Sequence, residues 1–155
     1  LSMHDFEKSK ISGQKATGMN PNDPRVISVF GEALLRLNDI DKGLEYLEKA
    51  YELDPIPQGQ TTSDRRLAAL FLGYFLKNDF THCQKLNEDI VNIDIRTWLL
   101  YSFMCHKKEI YYEEDSWFKA GINQYQNSDW DMEVDRFHLN DDSLKTRLID
   151  FAKTI

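Results

Sequence analysis

Four residues with soft donor atoms stand in two adjacent pairs, His82-Cys83 and Cys105-His106. Thiolate and imidazole are preferred zinc ligands, so the pairs raise the question of a metal centre or of a disulfide between the cysteines. Neighbouring residues on a helix point about 100° apart, which keeps the two members of one pair from converging on one ion. Both cysteines fall instead at apolar positions of helical stripes, where a thiol packs as a small hydrophobe. His4 and His138 add no metal-ligand spacing. The run YYEEDSW (Tyr111 to Trp117) sets carboxylates side by side, as acid–base chemistry requires, but reads as the solvated face of a helix between core aromatics. Asp129, Asp131, Glu133 and Asp135 alternate as calcium ligands do, without the glycine turn and spaced glutamate of a calcium loop. No glycine-rich phosphate loop, nucleophile elbow or HExxH occurs. The expectation is a noncatalytic protein with no metal and no cofactor.

Bulk properties narrow the partner. The chain has 155 residues, enough for one domain or a few stacked repeats, and its formal net charge is −7. A surface for nucleic acid or anionic lipid needs clustered Lys and Arg, so neither is expected as a partner. No apolar run approaches the roughly 18 residues that span a bilayer, and LSMHDFEKSK lacks the basic-then-apolar layout of a signal peptide. Two cysteines fit a reducing compartment. The expected location is the cytoplasm, or the periplasm where a preceding segment carries an anchor.

The elements that would position these residues are helical. Val26, Phe30, Ala33, Leu34 and Leu37 recur at spacings of three and four, one face of a helix, and Asp23-Pro24 supplies its start. Leu44, Leu47, Ala50 and Tyr51 form a second stripe that Pro55 stops. Between them RLNDIDKG is matched by LKNDFTHC further on, each reading as the turn of a helical hairpin. Two helices approach closely only where side chains are small, so Gly31 should meet Gly43 and Ala50 at the crossing. A third pair is expected over 95–107 and 110–124, with Trp98, Tyr101, Cys105, Phe118 and Ile122 on its stripe. Leu144, Leu148, Phe151 and Ala152 mark a final amphipathic helix.

Ile27, Phe30, Gly31, Leu34, Gly43, Leu47, Ala50 and Pro55 together resemble the tetratricopeptide repeat, a helix-turn-helix unit of about 34 residues. Gly31, Ala50 and Pro55 are identities, and glycine replaces alanine at 43. The second unit departs from the pattern: Phe71 stands for glycine, Asn87 for an aromatic and Ile95 for proline. The resemblance implies an all-α, right-handed stack of antiparallel helical pairs ending in a C-terminal capping helix. Its units would be the second helix of a truncated repeat (6–19), repeats at 24–55, 63–93 and 95–124, and a connector with capping helix (125–155). The chain would then be a fragment of a longer protein. It is also similar to the C-terminal tetratricopeptide regions of bacterial signalling proteins, such as class III nucleotide cyclases and winged-helix transcription activators, which implies a regulatory or sensory domain.

In such stacks the first helix of each pair lines a concave groove. The corresponding positions are Arg25, Ser28, Glu32 and Leu35; Arg65, Ala68, Leu72 and Phe75; and Arg96, Leu99, Phe103 and His106. The groove would combine recurring arginines with an apolar strip, suiting an apolar helix or extended peptide with an acidic group. Two other readings fit the same strip: core covered by the C-terminal segment, or a surface for a second copy of the chain. The rival function is a sensory domain holding a small molecule or metal in a pocket of the third helical pair.

Overall fold

The computed structural model describes residues 3–55 and 59–155, and among them there are helices and turns but no strand. In chain order the helices are α1 (Met3–Met19), α2 (Pro24–Arg36), α3 (Ile40–Leu53), α4 (Gln60–Leu76), α5 (Phe80–Asp89), α6 (Ile95–Lys107), α7 (Ser116–Tyr125), α8 (Trp130–Asp135) and α9 (Asp142–Ala152). None is long and apolar enough to cross a membrane.

Aspartates start these helices and left-handed residues stop them. The carboxylates of Asp23, Asp79, Asp94, Asp129 and Asp141 accept backbone N–H bonds from the first turns of α2, α5, α6, α8 and α9, each worth about 1 kcal/mol. Asn38, Asn78 and Glu109 end α2, α4 and α6 with φ of 67°, 57° and 56°. At each stop the next residue's N–H closes back on the last turn: Asp39 to Leu34 O, Asp79 to Tyr74 O and Ile110 to Cys105 O, all at 2.9 Å. The repeated Asn-Asp is thus a stop followed by a start, asparagine tolerating the left-handed backbone better than most side chains.

The third stop has no aspartate after it, and the structure departs from expectation there. A helix from Ile110 is expected, yet residues 110–115 are not helical and α7 begins only at Ser116. Tyr112 turns inward instead, its ring 4.8 Å from that of Phe118. YYEEDSW is therefore mostly a connection and not a helix face. Smaller differences are an α4 that starts at Gln60 where the repeat is expected from 63, an α5 that ends at Asp89 ahead of that repeat's expected end at 93, and a short α8 within the expected connector. The stretch 56–62, between the expected repeats 24–55 and 63–93, lies partly outside the described residues.

The crossing of α2 and α3 requires both glycines. A Cβ on Gly31 would lie 2.9 Å from Gly43 O and 2.8 Å from Leu47 Cγ, while one on Gly43 would lie 2.9 Å from Gly31 O. Opposite ends of the two helices meet, so the pair is antiparallel. Successive helices pack in order from α1 to α7, and α2 also touches α4 and α4 touches α6. The last helix, α9, folds back onto α6 and α8. Leu34, Phe71, Leu72, Trp98, Leu99, Leu100 and Leu148 are all fully buried in the interior this creates.

Candidate functional site

The α2–α4–α6 row carries the positions expected to line a groove, and the structure divides them into two groups. Arg25, Ser28 and Glu32 of α2 and Arg65 from the start of α4 line one cavity of about 560 Å³, completed by Phe6 and Ser9 of α1. Leu35, Ala68, Leu72, Phe75, Leu99 and Phe103 are instead interior, none more than 7% exposed.

The open apolar strip is therefore absent from this chain, because its own C-terminal segment covers it. Phe151 of α9 places its ring 5.6 Å from Phe103 and 5.1 Å from His106. Leu139 and Leu144 face Phe75, Phe103 and Met104 across a cavity of about 660 Å³ at the helix ends. Burial of apolar area stabilises by about 25 cal/mol per Å², and a strip running over three helices gains from any cover within reach. Groove and covered core have the same periodicity, so spacing alone left both readings standing.

What stays open is the charged half. Arg25 has an exposed side chain that pairs with Asp23 at 3.2 Å, and neighbouring Arg66 donates to the Asp54 carboxylate at 2.8 Å. Arg65 and Arg96 have no hydrogen-bond or ion-pair partner among the described residues. Arg36, next to the expected Leu35, was read from sequence as part of a turn. It is the last residue of α2 and only 7% exposed, and its Nη1 has no hydrogen-bond partner among the described residues. Burial, reinforced by the nearby Arg96 charge and opposed by Glu32, pushes its guanidinium pKa down to about 10. His138 approaches Arg36 from the connector, its left-handed backbone (φ 54°) aiming the ring edge at Phe6, 5.5 Å away. Burial lowers the pKa of His138, and the Arg36 charge lowers it further.

Comparison with protein-family models, curated proteins and solved structures finds no match to this chain.

The cysteines belong to the interior. Cys83 and Cys105 are free and buried, and burial pushes their thiols up to about 12 and about 11. Cys83 sits where Gly43 sits in the first pair, with Sγ 3.8 Å from Phe71 O just as Gly43 lies against Gly31 O. Among the described residues no three His, Cys, Asp or Glu side chains gather as metal ligands.

Chemically, the arginine face offers fixed positive charge and N–H donors, with Asp23 and Asp54 pairing Arg25 and Arg66 and Glu32 lining the same cavity. Such an array suits the bidentate capture of carboxylate groups. Arg36 and His138 escaped the sequence reading. Arg36 follows Glu32 by four residues and so shares its face, a signal that was available; His138 reaches this face only through the path of the connector, which no spacing records.

Proposed function

We propose that this chain is a noncatalytic protein-interaction scaffold: a tetratricopeptide-like, right-handed stack of antiparallel helical pairs whose arginine face receives an acidic segment of a protein partner. The repeated stop-and-start turns and the mutual packing of α2, α4 and α6 support the stack. By the same resemblance it serves as a regulatory or sensory module of a larger bacterial protein.

The observation that carries the reading is the crowding of like charge on this face: Arg25, Arg65 and Arg66 line one cavity, and Arg96 stands close to Arg36, whose Nη1 is buried with no hydrogen-bond partner among the described residues. A buried charge without a partner is costly. In a chain of net charge −7, an excess of cations on one face is not a by-product of composition. A carboxylate arriving from a partner would offset the cost and gain charge-assisted hydrogen bonds. The partner is met through this polar face, since the apolar strip is already covered.

The test is fluorescence anisotropy with a labelled octaglutamate peptide. Wild type should bind saturably and more weakly as salt rises. The double variant Arg65→Glu, Arg96→Glu should bind at least about tenfold more weakly with an unchanged helical spectrum. Absence of saturable binding by wild type at low salt, or equal affinity of the double variant, would remove the basis of the proposal.

A further inference from the structure

A second cleft, of about 890 Å³, lies on the opposite side of α6, between α5 and α7. Trp98 and Tyr101 of α6 form its floor, Trp117 and Tyr125 of α7 one wall, and residues 90–94 close one end. Gly121 admits the tryptophan: a Cβ there would lie 1.9 Å from Trp98 Nε1. No Lys, Arg or His lines the cleft, whereas Glu88, Asp94 and Asp115 all do.

The aromatic donors of this cleft are already committed to the protein. Trp98 Nε1 donates to Phe118 O at 3.3 Å, Trp117 Nε1 to Asp115 Oδ2 at 3.2 Å, and the Tyr125 hydroxyl to Ile93 O at 2.9 Å. Acceptors are left over. Asn87 lines the cleft at 6% exposure, and its Oδ1, sealed from solvent, has no partner among the described residues. Glu88 also makes no hydrogen bond or ion pair there. An occupant that fits must bring donors and positive charge, with an apolar body to lie on aromatic faces, where cations are also attracted.

The acids stand at two poles. Asp115 takes the Trp117 Nε1–H at one end, and Asp94 follows Ile93, whose carbonyl takes the Tyr125 hydroxyl, at the other; Glu88 lines the cleft from α5. Between the poles run the aromatic rings, Tyr125 5.7 Å from Trp98 and Trp117 4.9 Å from Tyr101. A single point charge would satisfy one pole only.

We infer that the cleft between α5 and α7 is a binding site for a linear aliphatic diamine or polyamine, its ammonium groups at the two acidic poles and its methylene chain along the aromatic wall of Trp117 and Tyr125. The site is separate from the arginine face and does not depend on it.

The experiment titrates the intact chain with spermidine, putrescine and n-butylamine at about 0.15 M salt, reading calorimetric heat and the fluorescence of the cleft tryptophans. Spermidine and putrescine should bind saturably and change the emission, butylamine at least about tenfold more weakly. Glu88→Gln with Asp115→Asn should weaken spermidine by a similar factor, while Glu45→Gln with Glu52→Gln, exposed acids of α3, should leave it unchanged. Ala120→Arg, an exposed position on the cleft wall, should abolish binding by lending the site a cation of its own, and it gives a second route should the double variant fold poorly. No saturable binding at millimolar spermidine would overturn the inference. So would equal loss in both glutamine-bearing double variants, which would show a general counterion effect, or butylamine as tight as putrescine. Binding of a lysine-rich peptide but not of spermidine would overturn it in favour of a protein ligand.

Discussion

The arginine face and the acidic-aromatic cleft are opposites built on the same helix. Arg96 and Trp98 are two residues apart on α6 and therefore point about 200° apart; one joins Arg36 on the first face, the other floors the cleft. Among the described residues the buried polar atoms without a partner include a donor on the first side, Arg36 Nη1, and an acceptor on the second, Asn87 Oδ1. The difference teaches that a net charge of −7 says little about what either face can bind. Arginines gather on the first side, and the described lining of the cleft holds acids and no cation.

The largest expected effect breaks both faces at once. Leu72 is fully buried under the covered strip, so Leu72→Glu places a carboxylate among apolar groups. It should cost more than about 4 kcal/mol, seen as loss of the cooperative urea transition together with both binding activities. A folded variant that became monomeric from a dimer would instead show that the strip is a surface.

Next in size is a change that damages the cleft and spares the arginine face. Gly121→Ala drives a methyl into the Trp98 indole and should destabilise by about 1–3 kcal/mol. The tryptophan emission should change, and spermidine should bind more weakly than octaglutamate loses affinity. Equal loss of both ligands would mean that the two sides are not independent.

Arg36→Met sharpens the comparison from the other direction. Removing an unpartnered buried guanidinium should raise stability by about 1 kcal/mol in urea unfolding while weakening the octaglutamate complex and leaving spermidine unaffected. Lower stability would show that Arg36 is satisfied within the fold.

The smallest effect is a pH dependence. His138 has a folded pKa below its ordinary value, through burial and the charge of Arg36, with Lys145 adding to the shift and Asp135 opposing it. The unfolded chain therefore binds more protons in this range, and stability falls as pH drops through the ordinary value of 6.5 toward the lower folded one. His138→Gln should flatten that stretch of the stability profile; an unchanged slope would place its origin elsewhere.

Much of the helical order is legible in the residues themselves. Asp23-Pro24 starts α2 where its spacing says, the Asn-Asp turns stop α2 and α4, and Gly31 meets Gly43 as small residues at a crossing should. These signals are local, and local chemistry decides them. The third turn is less legible because Glu109 adopts the left-handed backbone without being a residue type that favours it. The fate of Leu72 and Phe103 was beyond the sequence for a different reason: it depends on where residues 126–141 carry α9. The same holds for the cleft, since Asp115 and Glu88 become neighbours only through the non-helical path of 110–115.

The most direct measurement of the central claim is an amide chemical-shift map of the isotopically labelled chain titrated with octaglutamate. The account predicts saturating shifts at Ser28, Glu32, Arg36, Arg65 and Arg96, with Glu88, Asp115 and Gly121 unmoved. Shifts confined to the α5–α7 side, or none at any residue of the arginine face, would contradict it.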